Sequence, residues 1–217
     1  MENPGKKYRS DEPVPALAVL MKLLPVCGAA SVVSALGFRA QFSLPGGTPL
    51  ILWMLTWLTL AAMRYFQDQG HSAGHYLCLI CFAAWGGILL GASQVVIHGA
   101  LSWVTSGLIL AWACRGLGNQ KRFLLIREEI WALCCGVYIL GWLVLLGFPT
   151  ARGMMAGWAA LGIGLISLLV RRVLVGALQE ASGFLHPAAG EVYVLLFQVY
   201  WLVSILGEYL NGKNLPG

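Results

Sequence analysis

The stretch Arg115–Glu129, RGLGNQKRFLLIREE, is the only long charged interruption in an otherwise apolar chain. On either side of it the chain runs in apolar blocks of about 20 residues, the length that a helix needs to cross a bilayer. The compartment that this loop faces therefore fixes the compartment of every other loop. Its charged residues are Arg115, Lys121, Arg122, Arg127, Glu128 and Glu129.

The composition favours a membrane protein. Of the 217 residues, 59% are hydrophobic and only 11% are charged, whereas soluble domains have roughly 25% charged residues. A soluble domain of this size could not bury so much apolar surface, so much of that surface must face lipid. We therefore predict an all-α, polytopic transmembrane helix bundle. The net charge of +5 lies in short loops with no basic face, which argues against a nucleic-acid partner.

Seven apolar segments are predicted to span the membrane. They follow a polar cytoplasmic tail at residues 1–15, form a single transmembrane domain over 16–210, and leave a short tail at 211–217. The third and fourth segments make a tight hairpin, because about 40 residues of helix extend about 60 Å, or two crossings. The predicted spans lie near 16–38, 49–66, 75–96, 99–115, 130–148, 153–170 and 192–210.

The distribution of cations predicts the orientation. Cytoplasmic loops carry an excess of lysine and arginine, and 11 of the 14 such residues fall on one side when the N-terminus is cytoplasmic and the C-terminus outside. We expect this arrangement in a bacterial cytoplasmic (inner) membrane. The inner set is Lys6, Lys7, Arg9, Lys22, Arg64, Arg115, Lys121, Arg122, Arg127, Arg171 and Arg172; the outer set is Arg39, Arg152 and Lys213.

Small residues at helical spacing predict where helices pack. In lipid such stripes let two backbones approach closely, and van der Waals contact then drives association. Three stripes fit this pattern: Gly87 with Gly91; Gly153 with Gly157, Ala160 and Gly164; and Cys27 with Ser31 and Ala35.

The last predicted span carries a polar stripe at helical spacing, and Glu191 and Gln198 form a second, shorter polar line. A polar face along a membrane helix must look into the bundle or a wet cavity, because lipid offers no hydrogen-bond partners. The stripe therefore predicts either a transport or ligand path, or hydrogen bonds between helices. Its members are Tyr193, Tyr200, Ser204 and Glu208.

Four residues form a candidate metal site on the cytoplasmic side. His71, His75 and Cys78 share one face if their segment is helical, His186 lies on the same side, and imidazole and thiolate suit zinc or copper. The alternative is two interfacial histidines and two buried thiols, Cys78 and Cys81. We predict no cofactor other than this metal or a quinone.

A candidate quinol site lies at the outer hairpin tip, where His98 could take a proton beside Gln94. Residues 117–118, 122–123 and 127–130 (LG, RF and REEI) resemble the LG…R…REI passage of the dimethyl sulfoxide reductase membrane-anchor family. The resemblance covers under a fifth of the chain and implies a quinol-linked anchor subunit. In that family the passage faces outward, whereas charge counting places it inside here.

The chain lacks H-E-x-x-H, G-x-S-x-G, G-x-G-x-x-G and Walker motifs, which argues against several enzyme classes. Its loops are too short to fold alone. We therefore predict a non-catalytic membrane subunit or scaffold that docks partners through Arg115–Glu129. The alternatives are a small-solute or ion transporter that uses the polar stripe, a quinol-linked anchor subunit, and a lipid-acting or metal-dependent membrane enzyme.

Overall fold

The computed structural model describes residues 16–38, 48–92, 99–114, 128–146, 152–179 and 185–210. Every regular element within these residues is an α-helix, which confirms the all-α class. The helices are α1 (Ala16–Phe38), α2 (Thr48–Asp68), α3 (Ser72–Ala92), α4 (Gly99–Cys114), α5 (Glu128–Leu146), α6 (Arg152–Gln179) and α7 (Leu185–Leu210).

The last two helices are longer than the predicted spans. We placed Arg171 and Arg172 in a cytoplasmic loop, but both lie inside α6, which continues to Gln179. The apolar sequence VLVGAL at 173–178 has no proline or charge to end the helix, so the helix runs past the arginines. Similarly, α7 begins at Leu185, which makes Glu191 a helical residue rather than a loop residue.

Helix α7 is the centre of the bundle. It contacts α1, α2, α3, α4 and α6, and α5 reaches it through the Trp142 and Trp201 rings, whose centroids are 4.9 Å apart. The outer helices contact one another in the cyclic order α1, α3, α2, α5, α6, α4. As a result, 89% of residues 188–207 are buried, so polar side chains of α7 face other helices.

The helices alternate in direction along the chain. Helix α1 is parallel to α7, since Cys27 contacts Ala189 and Ser34 contacts Tyr193. Helix α6 is antiparallel to α7, because Gly153 lies beside Tyr209 and Gly162 beside Leu202. The contacts of α2, α3, α4 and α5 continue this alternation. The start of α1 and the end of α7 consequently lie at opposite ends of the bundle.

The surface of the bundle is apolar and its interior holds polar groups. Large hydrophobic side chains such as Leu58, Trp103 and Met154 are each more than half exposed, whereas Thr56, Ser102 and Gln198 are buried. This is the reverse of a soluble protein. Three helices of the described part are long and apolar enough to cross a membrane, over Ser72–Leu89, Gly153–Ala177 and Ala188–Gly207. The chain is therefore compatible with membrane insertion.

Two of the three predicted small-residue stripes form helix interfaces only in part. On α6, Gly157 and Gly164 have no neighbouring atom within 4 Å of a built Cβ, and the helix packs through Ala156 and Ala159 instead. On α1, Ala35 is exposed, while the Ala30 and Ser34 side chains are buried. Both helices are apolar on all sides, so spacing could not distinguish the packed face from the lipid face.

The contact between α1 and α3 does use a glycine of the remaining stripe, Gly87 with Gly91. A Cβ at Gly87 would overlap the backbone of Ser34, and a Cβ at Gly37 would overlap the backbone of Ala84. The two backbones are in direct contact, as small-residue packing in membranes requires. Of the predicted glycines whose surroundings the structure describes, Gly87 is the one in direct contact with the backbone of another helix.

We expect Gly87→Ala to lower the free energy of unfolding by about 1–3 kcal/mol, because the new methyl group must push α1 and α3 apart. Gly157→Ala is the matched control, since its methyl group would point into open space. Thermal unfolding of both variants in mild detergent measures the difference. Equal midpoints for the two variants would contradict this account of the α1–α3 contact.

Candidate functional site

The candidate site consists of the polar side chains that α7 presents to its neighbours. Each such buried group must be satisfied by another helix, by its own backbone or by a bound molecule. Two groups of contacts result: one between α7 and α1, α3 and α4, and one between α7 and α2.

Tyr193 joins three helices through its hydroxyl group. The hydroxyl lies 2.6 Å from Ser34 Oγ and 3.1 Å from the Ala30 carbonyl oxygen, both on α1, and its single proton is shared between these two acceptors. Ser34 Oγ in turn donates to the Ala83 carbonyl oxygen of α3 at 2.7 Å. All of these polar atoms are buried, so the network ties α7 to the α1–α3 pair.

The remaining members of the polar stripe are used differently. Ser204 donates to the carbonyl oxygen of Tyr200, one turn back in the same helix, at 2.8 Å. The Tyr200 ring packs edge-to-face on Trp103 of α4, with centroids 6.2 Å apart. The side chain of Glu208 lies outside the described residues. The described part of the stripe thus makes contacts between and within helices.

The line of Glu191 and Gln198 faces α2. The Gln198 side chain is fully buried, and its Nε2 donates to Thr56 Oγ1. Gln198 Oε1 has no hydrogen-bond partner among the described residues. Two turns away, Glu191 Oε2 lies 3.8 Å from Arg64 Nε, with side chains 8% and 54% exposed respectively. A buried carboxylate on one helix is therefore paired with a half-exposed cation on the next.

The predicted metal ligands are placed as follows. His75 is 2% exposed, with Nδ1 3.3 Å from the Met63 carbonyl oxygen and Nε2 against Gly190. His71 precedes α3 and is exposed, and Cys78 is half-buried. The His186 side chain lies outside the described residues. No three His, Cys, Asp or Glu side chains come together in the described part of the chain.

Two arginines of α6 bind the helices that flank the charged loop. The Arg171 guanidinium lies 4.5 Å from the centroid of the Trp112 ring on α4. The Arg172 guanidinium lies 5.4 Å from the centroid of the Trp131 ring on α5. Such cation–π contacts are worth roughly 0.5–2 kcal/mol each. The end of α4 and the start of α5, between which the loop runs, are thus attached to a common helix.

Every charged side chain that the structure describes lies at this same end of the bundle. Glu191 pairs with Arg64, and the antiparallel α6–α7 register places Arg171 level with residues 191–193. Asp68 lies one turn beyond Arg64. From this layer to residue 209 of α7 is about 25 Å of helix, close to the thickness of a hydrocarbon core.

Several predicted residues lie outside the described part of the chain. They are Gln94 and His98 at the hairpin tip, and Arg115, Lys121, Arg122 and Arg127 of the loop; the side chains of Glu128 and Glu129, which begin α5, are also not described. The docking loop and the quinol site therefore stay predictions.

Sequence reasoning missed the α2 half of the site. Arg64 was interpreted only as an orientation signal, and Thr56 was not considered. The available signal was that Thr56, Thr59 and Met63 share one helix face, on which Thr56 and Thr59 are the polar members. Nothing in the order of residues, however, indicates that this face meets α7 rather than another helix.

No family model, no curated protein and no solved structure matches this chain.

We expect Tyr193→Phe to lower the free energy of unfolding by about 0.5–2 kcal/mol, because it removes the hydroxyl that links α7 to α1. Tyr200→Phe is the matched control on the same helix face, and its hydroxyl makes no hydrogen bond to the described residues. Denaturation in mixed micelles, followed by tryptophan fluorescence, compares the two. A larger loss for Tyr200→Phe would contradict this interpretation of the stripe.

For the ion pair we expect Arg64→Gln to destabilise the bundle more than Glu191→Gln, by about 1–3 kcal/mol. The first change leaves a buried carboxylate without this cation, whereas the second leaves an arginine that is already half-exposed. The double variant should recover part of the loss, which thermal unfolding in detergent will measure. The opposite order of the two single variants would refute the assignment.

Proposed function

We propose that the chain is a multi-pass integral membrane protein that serves as a non-catalytic subunit or scaffold of a larger membrane complex. One observation carries this proposal: the polar groups of the central helix are largely engaged in contacts between helices, above all in the Tyr193–Ser34 network. A core used for cohesion leaves the outer helix faces and the loops as the parts that can bind other molecules.

The proposed topology has seven spans, with the N-terminus in the cytoplasm and the C-terminus outside, in a bacterial cytoplasmic membrane. The alternating helix directions support an odd number of crossings. The gathering of Arg64, Arg171 and Arg172 at one end of the bundle supports this end as the cytoplasmic side, by the positive-inside rule.

The proposed docking element is the loop that carries Arg115, Lys121, Arg122 and Arg127, together with Glu128 and Glu129. Its support is indirect. The helices on both sides of it are attached to α6 through Trp112 and Trp131, so the loop begins and ends at fixed points. A loop with fixed ends loses less conformational entropy when it binds a partner.

A second candidate function, transport of a small solute or ion, is favoured by one observation. Gln198 lies midway along the buried part of α7 and keeps an acceptor without a partner in the described residues. Transporters commonly place their polar sites near the bilayer midplane. The quinol-linked anchor, with His98 and Gln94, and the metal site of His71, His75, Cys78 and His186 remain proposals with no added support.

If the chain is a subunit, affinity isolation at native expression level in mild detergent should recover stoichiometric partners, which mass spectrometry will quantify. We expect the double variant K121E/R122E to reduce their recovery at least tenfold, because charge reversal opposes docking. The tail variant K6E/K7E is the matched control, with the same change in charge at the same predicted membrane side. Recovery of a monodisperse monomer without partners would contradict the proposal.

A further inference from the structure

The contact between α2 and α7, the α2–α7 seam, contains a polar atom that the fold leaves unsatisfied. Gln198 is fully buried, its Nε2 is used by Thr56, and its Oε1 has no partner among the described residues. Burying an acceptor without a hydrogen bond is unfavourable, because the acceptor loses the hydrogen bonds that water would supply. Exchanging the two amide atoms does not remove the problem, because Nε2 would then lack a partner.

The two buried serines of α4 do not pose the same problem. Ser102 and Ser106 also lack a hydrogen-bond partner in the described residues. A serine hydroxyl, however, can rotate to donate to the carbonyl one turn back, as Ser204 and Ser167 do at 2.8 and 2.7 Å. An acceptor cannot be satisfied in this way, since the interior amide protons of a helix are already used. Gln198 Oε1 therefore needs a donor from outside its own helix.

Polar side chains connect this atom to one end of the bundle. Thr59 is buried on the same face of α2 as Thr56, and lies one turn nearer to Arg64. Glu191 precedes Gln198 by two turns of α7 and faces Arg64, whose side chain is 54% exposed. The distance from Glu191 to Gln198 along α7 is about 10 Å. Polar groups thus follow the seam from Arg64, which is half-exposed, to Gln198, which lies midway along the buried part of α7.

We propose that the α2–α7 seam admits water from the Arg64 end as far as Gln198, where a water molecule donates a hydrogen bond to Oε1. Thr56 and Thr59 supply the further polar partners that a buried water requires, two to four in all. On the other side of α7, Tyr193 is bonded to Ser34 and Ala30, so water enters on the α2 side only. The proposal goes beyond a scaffold, because a wet path to mid-membrane is what solute or proton movement needs.

The proposal rests on the membrane placement argued above, and one experiment tests both. In a variant with all six cysteines replaced, T59C puts a thiol on the seam and L58C puts one on the exposed face of the same helix, where Leu58 is 70% exposed. Each variant in sealed vesicles is treated with 2-(trimethylammonium)ethyl methanethiosulfonate, whose fixed positive charge keeps it on the side of addition, and which reacts with thiolates in water and not in hydrocarbon.

We expect T59C to react at least tenfold faster than L58C, and only when the reagent is added on the Arg64 side. A T59C rate no higher than that of L58C, or reaction only from the opposite side, overturns the proposal. If L58C itself reacts as fast as a thiol in water, the membrane placement fails instead, and the two failures are therefore distinguishable.

A second measurement needs no cysteine replacement and decides the outcome if those variants do not fold. Water-edited solid-state NMR of the native chain, labelled with ¹⁵N-glutamine and reconstituted in vesicles, reports which side-chain amides contact mobile water. The Gln198 signal, assigned by its loss in Gln198→Met, should receive magnetisation from water. A Gln198 amide that receives none overturns the proposal.

Discussion

The structure depends on one constraint: a polar group inside the bundle needs a partner on another helix, on its own backbone or in a bound molecule. The surface of the bundle is largely apolar, and many of its described polar side chains lie around α7, where six helices can offer partners. The Tyr193 hydroxyl, bonded to both Ser34 and Ala30, is the clearest case. Apolar burial contributes little to such association in lipid, and shape and hydrogen bonding therefore decide which faces meet.

Charge is distributed along the bundle axis under the same constraint. The described charged side chains form a layer at one end, where Glu191 has Arg64 as a partner and where Arg171 and Arg172 lie against tryptophan rings. Arginine tolerates this position because its guanidinium is weakly hydrated and stacks on aromatic faces. Through Arg171 and Arg172 this layer also attaches α4 and α5 to α6. The two helices that the charged loop connects are therefore attached to the same neighbour.

These two features separate the functions that we propose. A core whose hydroxyls are bonded between helices is suited to a scaffold, since it resists rearrangement. The α2–α7 seam differs, because Gln198 keeps an acceptor that no described residue satisfies. Unsatisfied buried polar groups are uncommon in folded proteins and often mark a bound water or a functional site. On one side of α7, the Tyr193–Ser34 network holds helices together. On the other side, Gln198 keeps the unsatisfied acceptor from which we propose the water path.

Much of the fold class could be predicted from the sequence, because apolar blocks of membrane-spanning length separated by charged or glycine-rich breaks leave few alternatives to a helical bundle. The polar character of α7 was also readable, from Tyr193 to Ser204 and in the line of Glu191 and Gln198. The ends of the last two helices were harder to predict from the sequence. Arg171 and Glu191 fall just outside the predicted spans at 153–170 and 192–210, yet both lie inside helices, where Arg171 stacks on the Trp112 ring and Glu191 pairs with Arg64.

The sequence by itself determined that this chain is a set of apolar helices with a few polar residues that must face inward. Only the tertiary structure decided which helix is central, and that Arg64 meets Glu191 and Thr56 meets Gln198. It also decided that Gly87, but not Gly157, brings two backbones together. The physical reason is that a helix apolar on every side has no pattern to orient it. Its neighbours are chosen by shape and by a few hydrogen bonds between residues far apart in the chain.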